Sequence, residues 1–340
     1  MRDLRPLIFT AVLLAAAAAS AQQVQLKVAT LAPEGSSWMV EARRGADQIA
    51  EKTGGRVGIR FYTGGTMGSD QAVLRKMRIG QLQGGAILVG SLTDLVPSIE
   101  IYNLPLLFQD YAEVDAVRAA FDKRLLGMLA DKGLVAFGFV ETGFVYLMST
   151  RPVSTFADLE GRKIWMPEGD AISEAIAGAT GLSPVPLAIA DVLTGLQTGL
   201  VDTVAAPPVG AVALQWFTKA TYVTDLPVTY VYGTLMLTEE AMERLSPPDR
   251  EVVREVLTET ISGLDHRARE DTQQARQALI RQGVTFVEPN EEMRRRWTSV
   301  AAEATQALIG EQRYDRALVE EIQRTLEERR SGRGSTTAGG

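Results

Sequence analysis

Apolar and polar positions alternate along "QLKVATLA" (residues 25–32), a period of two that predicts a strand. The period then lengthens. In "PEGSSWMVEARRGADQIAEKTGG" (33–55), Trp38, Ala42, Ala46, Ile49 and Ala50 recur at helical intervals, with Pro33 and the serines opening the segment and Gly54-Gly55 closing it. "RVGIRFY" (56–62) reads as a second strand, "SDQAVLRKMRIGQ" (69–81) as a second helix and "GAILVG" (85–90) as a third strand. Strand and helix in alternation predict a parallel α/β sheet. A long extended run, "LVAFGFVETGFVYLMS" (134–149), is suited to cross from one domain to another. The alternation then resumes: "GRKIWMP" (161–167) strand, "AISEAIAGAT" (171–180) helix, "SPVPLA" (183–188) strand, "ADVLTGLQTG" (190–199) helix, "VDTVAAPP" (201–208) strand and "GAVALQWFTKA" (210–220) helix. "VTYVYGTLML" (228–237) offers a return crossing.

The last third is mostly helical. Ser246 caps, Pro247 takes the first helical position and Asp249 makes the first turn acidic, opening a proline-free helix to about residue 282. At about 1.5 Å per residue such a helix exceeds roughly 50 Å, enough to brace two domains. "VTFVEP" (284–289) adds a strand, two helices follow to about residue 330, and "SGRGSTTAGG" (331–340) reads as a disordered tail. The expected organisation is one domain of residues 22–145 plus about 233–282, and a second of 146–232 plus about 283–330.

Length and composition agree with this division. A chain of 340 residues, 46% hydrophobic, can bury two ordinary cores. The first 21 residues stand apart: Arg2 and Arg5 make a basic end, residues 7–19 are apolar but too short to span a bilayer, and Ala19-Ser20-Ala21 is a small-x-small cleavage pattern. They read as a secretory signal peptide cut before Gln22, leaving a mature, exported protein that does not span the membrane. The net charge of −7 opposes nucleic-acid binding, which needs a positive field. Zero cysteines exclude disulfides, thiol nucleophiles and thiolate metal sites.

Catalytic patterns are missing from the sequence. The single histidine, His266, sits among charged neighbours in the long helix, as a solvated side chain does. No nucleophile elbow, phosphate-binding loop, dinucleotide fingerprint or paired-histidine zinc motif occurs. The pairs Glu239-Glu240 and Glu291-Glu292 open helices, where the helix dipole accounts for them. No enzyme, cofactor or metal is expected. Two α/β domains, two crossings and a bracing helix suit a cleft that closes on a small ligand.

Four segments in order, "EKTGGRVGIRFYTGGTMGSDQAVLRKMRIGQLQGG" (51–85), "YNLPLLF" (102–108), "STRPVSTFADLEGRKIWMP" (149–167) and "LSPVPLAIADVLTGLQTGLVDTVAAPP" (182–208), resemble the solute receptors of tripartite ATP-independent periplasmic (TRAP) transporters of the dicarboxylate-binding type. The resemblance runs from about residue 27 to 257. It implies a two-domain periplasmic-binding-protein fold with crossing strands and a long helix spanning both domains, and a role in delivering a small molecule to TRAP membrane permease subunits. It also implies a carboxylate clamp, from which this chain departs. The usual clamping arginine falls at Trp165, a second arginine at Val145, and an asparagine at Ala206.

A carboxylate enclosed without a cationic partner costs several kcal/mol. The expected site is therefore an apolar cleft of Trp165, Val145, Phe144, Ala206, Ile189 and Leu31, with Glu168 at its edge. An apolar or aromatic ligand fits it best. A cation over the Trp165 face, countered by Glu168, Asp170 or Glu141, is a second class. An organic acid held instead by Arg151, Lys163 or Arg75 remains open, as does a soluble carrier that passes its ligand on without a permease.

Overall fold

The computed structural model describes residues 24–311 and 313–337, so the signal peptide read at residues 1–21 lies outside the described residues. The first half opens with β1 (Val24–Thr30), α1 (Ser37–Lys52), β2 (Val57–Tyr62), α2 (Asp70–Arg78) and β3 (Gly84–Leu88). β1 lies between β2 and β3, parallel to both. Each helix starts at a serine whose hydroxyl accepts a backbone N–H three residues on: Ser36 from Met39 at 3.3 Å, and Ser69 from Ala72 at 3.4 Å. α1 buries Met39, Ala42, Gly45, Ala46 and Ile49, the stripe its three- and four-residue spacing predicts.

Between residues 91 and 133 the sequence reading assigned nothing, yet the chain forms a 3₁₀ segment, Pro97–Asn103, and a twenty-residue helix, α3 (Tyr111–Ala130). Val114, Val117, Phe121, Leu125 and Leu129 give α3 a buried helical stripe, and Asp110 caps it by accepting from Glu113 N at 2.9 Å. The signal was present in the pattern.

β4 (Leu134–Ser149) is shared by both halves. From Leu134 to Val145 it pairs antiparallel with β9 (Thr229–Thr238), giving a first sheet in the order β4-β9-β3-β1-β2. The second half adds β5 (Trp165–Pro167), α4 (Ala171–Thr180), β6 (Val185–Leu187), α5 (Val192–Thr198), β7 (Thr203–Ala206), α6 (Pro208–Ala213) and β8 (Tyr222–Thr224). The last four residues of β4 pair with β7, and two of them also pair with β8. A parallel bridge between Ile164 and Thr203 joins the β5-β6 pair to this second sheet. The expected helix at 210–220 stops at Ala213; a left-handed Gln215 turns the chain into a short 3₁₀ segment, Trp216–Thr218.

After α7 (Glu239–Glu243), the helix α8 (Pro247–Arg281) is 35 residues long. Ion pairs pin it to both halves. Arg56 meets Asp249 at its start (2.6 Å), Arg118 meets Asp265 near its middle (2.9 Å), and Arg276 meets Asp225, just after β8, near its end (2.5 Å). β10 (Thr285–Val287) pairs with β8, and α9 (Glu291–Gly310) places Met293, Trp297 and Val300 in the second half's core. The final helix, α10 (Arg316–Thr337), departs from the expected organisation twice. Leu318, Val319, Ile322 and Leu326 join the first half's core, the cluster that also holds Val114, Val117 and Phe121 of α3, and the two helices touch. It also continues through residues 331–337, read as tail: no proline stops it, and the glycines weaken a helix without breaking it. This is a two-domain α/β fold with crossing strands and a bracing helix.

Candidate functional site

Parallel strands of both halves end at the gap between them, where open α/β sheets place ligands. Two cavities occupy that gap. The first, about 270 Å³, lies against the ends of β1 and β3 (Thr30, Leu31, Ala86, Leu88), the crossing strands (Val140, Gly233) and Ile189, Val209 and Leu214 of the second half. The second, about 230 Å³, meets Gly90, Ser91, Glu100 and Asn103 from the first half, and Val145, Ile164, Trp165, Ala205 and Trp297 from the other side. Among the described residues, no lysine, arginine or histidine lines either one. Their charged lining is acidic: Asp70, Glu141 and Asp271 in the first, and Glu100, Glu168 and Asp170 in the second.

Each acid has its own setting. Asp70 is buried and accepts from Leu88 N at 3.1 Å; loss of hydration pushes its carboxyl up to about 6, against the hydrogen bonds from Leu88 and Ser91. Glu141, 3% exposed, accepts from Arg269 Nε at 2.7 Å and from the Tyr230 hydroxyl at 2.9 Å. Arg269 also lies over the Tyr111 ring at 4.4 Å. Glu141 is thus matched within the protein, which removes it as a counter-charge for a ligand.

Glu100 is wholly buried, with Oε2 accepting from the Tyr314 hydroxyl at 3.2 Å. Burial, and then the neighbouring Asp170 carboxyl, hold its acid well above the usual range. Asp170 belongs to the opposite half, where its Oδ1 caps α4 by accepting from Ser173 N at 2.6 Å. A carboxyl from each half therefore meets its counterpart across the gap.

Trp165 lines the second cavity but is only 6% exposed. Its indole stands edge-on to Trp216 at 5.1 Å, and Nε1 donates to Leu187 O at 2.9 Å. The N–H is already used, so the ring presents apolar surface alone. Val145 and Ile189 line the second cavity too, Ile189 the first as well, and Leu31 the first. Glu168 is exposed at the rim of the second.

Phe144 and Ala206 line neither cavity. Strand alternation explains both: Val145 and Leu147 face the gap, while Phe144 points the other way, onto Tyr111 (4.9 Å) and Tyr230 (5.7 Å). Likewise Ala205, opposite Leu147, reaches the cavity, and Ala206, opposite Tyr146, enters the core behind it. Arg151, Lys163 and Arg75 are exposed and line neither cavity, and Lys163 Nζ donates to Gly199 O at 2.7 Å. His266 is exposed.

The sequence reading missed Glu100, Asn103, Asp70 and Trp297. Glu100 had a signal: it is the one charge within "LVPSIEIYNLPLLF", where an acid needs a reason. Trp297 and Asn103 carried none, since their neighbours across the gap come from distant parts of the chain.

The geometry has counterparts in known proteins. A solute-binding protein of Roseobacter denitrificans is 25% identical over 277 residues, covering 81% of this chain and 85% of the relative. The C4-dicarboxylate-binding periplasmic protein of Rhodobacter capsulatus is 26% identical over 261 residues, covering 75% and 77%. Among solved structures, a sugar acid binding protein from Advenella mimigardefordensis in complex with galactonate superposes with a TM-score of 0.83 at 18% identity, covering 90% of this chain and 99% of the other. A TRAP periplasmic solute-binding protein from Xanthobacter autotrophicus with bound β-D-galacturonate gives 0.80 at 20%, covering 88% and 99%. These two establish the fold. No helix among the described residues is long and apolar enough to cross a membrane. The model of the bacterial extracellular solute-binding proteins, family 7, matches residues 28–312, so the chain belongs to that family of binding proteins, which are not enzymes.

Proposed function

We propose that this protein is exported to the periplasm, captures a small apolar or aromatic solute in the gap between its halves, and delivers it to the membrane subunits of a TRAP-type secondary transporter. One observation carries the ligand class: among the described residues no cationic side chain lines either interdomain cavity, and Trp165 and Val145 stand where the family resemblance implies arginines. Relatives of known structure hold galacturonate and galactonate. A carboxylate of that kind in this gap would lose its water and meet only Glu100, Glu168 and Asp170 in the second cavity, at a cost of several kcal/mol. An apolar body instead gains about 25 cal/mol per Å² buried.

Native mass spectrometry of the purified mature protein, followed by solvent extraction and identification of what co-purifies, tests this directly. An apolar or aromatic molecule is expected. A tightly held sugar acid or dicarboxylate would overturn the ligand class and leave the receptor role standing.

A further inference from the structure

Three polar features converge at one place in the wall of the second cavity. Asp170 of the second half spends Oδ1 on its helix cap and turns Oδ2 toward Glu100 of the first half. Gly90 lies against both: a Cβ there would sit 2.8 Å from Glu100 Oε1 and 3.3 Å from Asp170 Oδ2, so the missing side chain keeps the two oxygens approachable. The third feature is independent of the acids. Asn103, 7% exposed and part of the same wall, gives Nδ2 to Glu100 Oε1 at 3.5 Å, while its Oδ1 is buried with no hydrogen-bond partner. Carboxyl oxygens from the two halves thus meet beside Gly90, the amide bonded to one of them has an unpartnered carbonyl, and among the described residues no basic side chain lines the wall to answer them.

We propose that the solute of this cavity carries a primary or secondary ammonium head, held by Asp170, Glu100 and the Asn103 carbonyl, with its apolar body against Trp165, Val145 and Ile189. This rests on the apolar-ligand reading and adds the head group. The titratable groups facing Glu100 are Asp170, Tyr314 and Tyr232, and burial pushes both phenols up, so they stay neutral. Burial, with the neighbouring Asp170 carboxyl, favours the protonated form of Glu100 in the absence of a cation. An entering ammonium takes the place of the Glu100 proton, which goes to solvent, so affinity rises with pH while Glu100 remains protonated.

Three probes sharing one body separate the possibilities: phenethylamine, 2-phenylethanol and phenylacetate, titrated calorimetrically into the purified mature protein between acidic and mildly alkaline pH. Phenethylamine is expected to bind at least about tenfold tighter than 2-phenylethanol, with one proton released, seen as a dependence of the heat on buffer ionisation. Glu100→Gln, which keeps the shape facing Tyr314, is expected to abolish the proton release and most of the preference. Asp170→Asn keeps a helix cap and serves the same purpose if Glu100→Gln does not fold. Equal binding of phenethylamine and 2-phenylethanol overturns the ammonium head and leaves the apolar reading intact. Tighter binding of phenylacetate overturns both. Failure of phenethylamine to bind at millimolar concentration overturns the head-group proposal.

Discussion

Trp165→Arg restores the side chain that the family resemblance implies at this position, and the structure predicts that it fails. The indole is 6% exposed, stands edge-on to Trp216 and donates to Leu187 O. Removing a large aromatic side chain from such a setting costs about 3–5 kcal/mol, which includes roughly 0.5–1.5 kcal/mol for the ring pair. A guanidinium could recover the bond to Leu187 O but would enter a core of Met148, Val192, Leu196 and Val204. The charged residues of the cavity wall are Glu100, the exposed Glu168 and Asp170, whose Oδ1 caps α4, and none of them belongs to the core around Trp165. The net loss is at least about 4 kcal/mol, a large part of the roughly 5–15 kcal/mol that holds a domain folded. Trp165→Phe keeps the apolar body and loses only the N–H bond and some area, so about 1–3 kcal/mol is expected. Equilibrium urea unfolding followed by circular dichroism measures both. If Trp165→Arg lies within about 1 kcal/mol of wild type and acquires affinity for D-glucuronate, the position accepts the arginine that the family resemblance implies, and the reasoning is wrong.

Three further outcomes follow from named contacts. Asp70 holds its proton to about 6 in the fold, above its ordinary range, so its contribution to stability is complete below about pH 4 and is lost as pH rises through about 6. Asp70→Asn should therefore gain melting temperature relative to wild type between pH 4 and 7.5; a pH-independent difference would refute the shift. Arg269→Met leaves the buried Glu141 with Tyr230 as its remaining partner, and because Arg269 is a third open to solvent the loss should be about 2–4 kcal/mol by urea unfolding. A change below about 0.5 kcal/mol would show that the pair is screened. Gly233→Ala sets a methyl 2.9 Å from Ile87 O on the paired strand, so a loss of about 1–3 kcal/mol is expected, and an unchanged melting temperature would contradict the register of β3 and β9.

Much of the fold was legible because periodicity reports local burial. The run at 134–149 reads as one extended segment and forms one strand, and the caps at Ser246 and Pro247 mark the start of α8. The last helix was harder: its stripe says that it packs, but only the fold says that it packs on α3. The site shows the same division. Trp165 and Val145, at positions where the family resemblance implies arginines, line the second cavity, whereas Phe144 and Ala206 turn away by one residue of strand alternation, a register that a sequence does not fix when both faces are apolar. Glu100 and Asp170 are seventy residues apart and meet only through closure of the gap, so no local pattern could pair them.

The passage of β4 through both sheets bears on how such a receptor would work. Its pairing with β9 slips between Ala136 and Phe139 and again between Glu141 and Gly143, with Gly138 and Gly143 at φ of +128° and +104°. The halves are thus coupled through hydrogen-bonded ribbon as well as through α8, and what joins them is a leaf spring rather than a slack tether. A hinge motion of the halves would have to twist this ribbon, and the ribbon would resist it. On such a motion a solute's apparent affinity would contain the stiffness of two strands along with its own contacts, and substitutions at Gly138 or Gly143 would retune binding from outside the cavity.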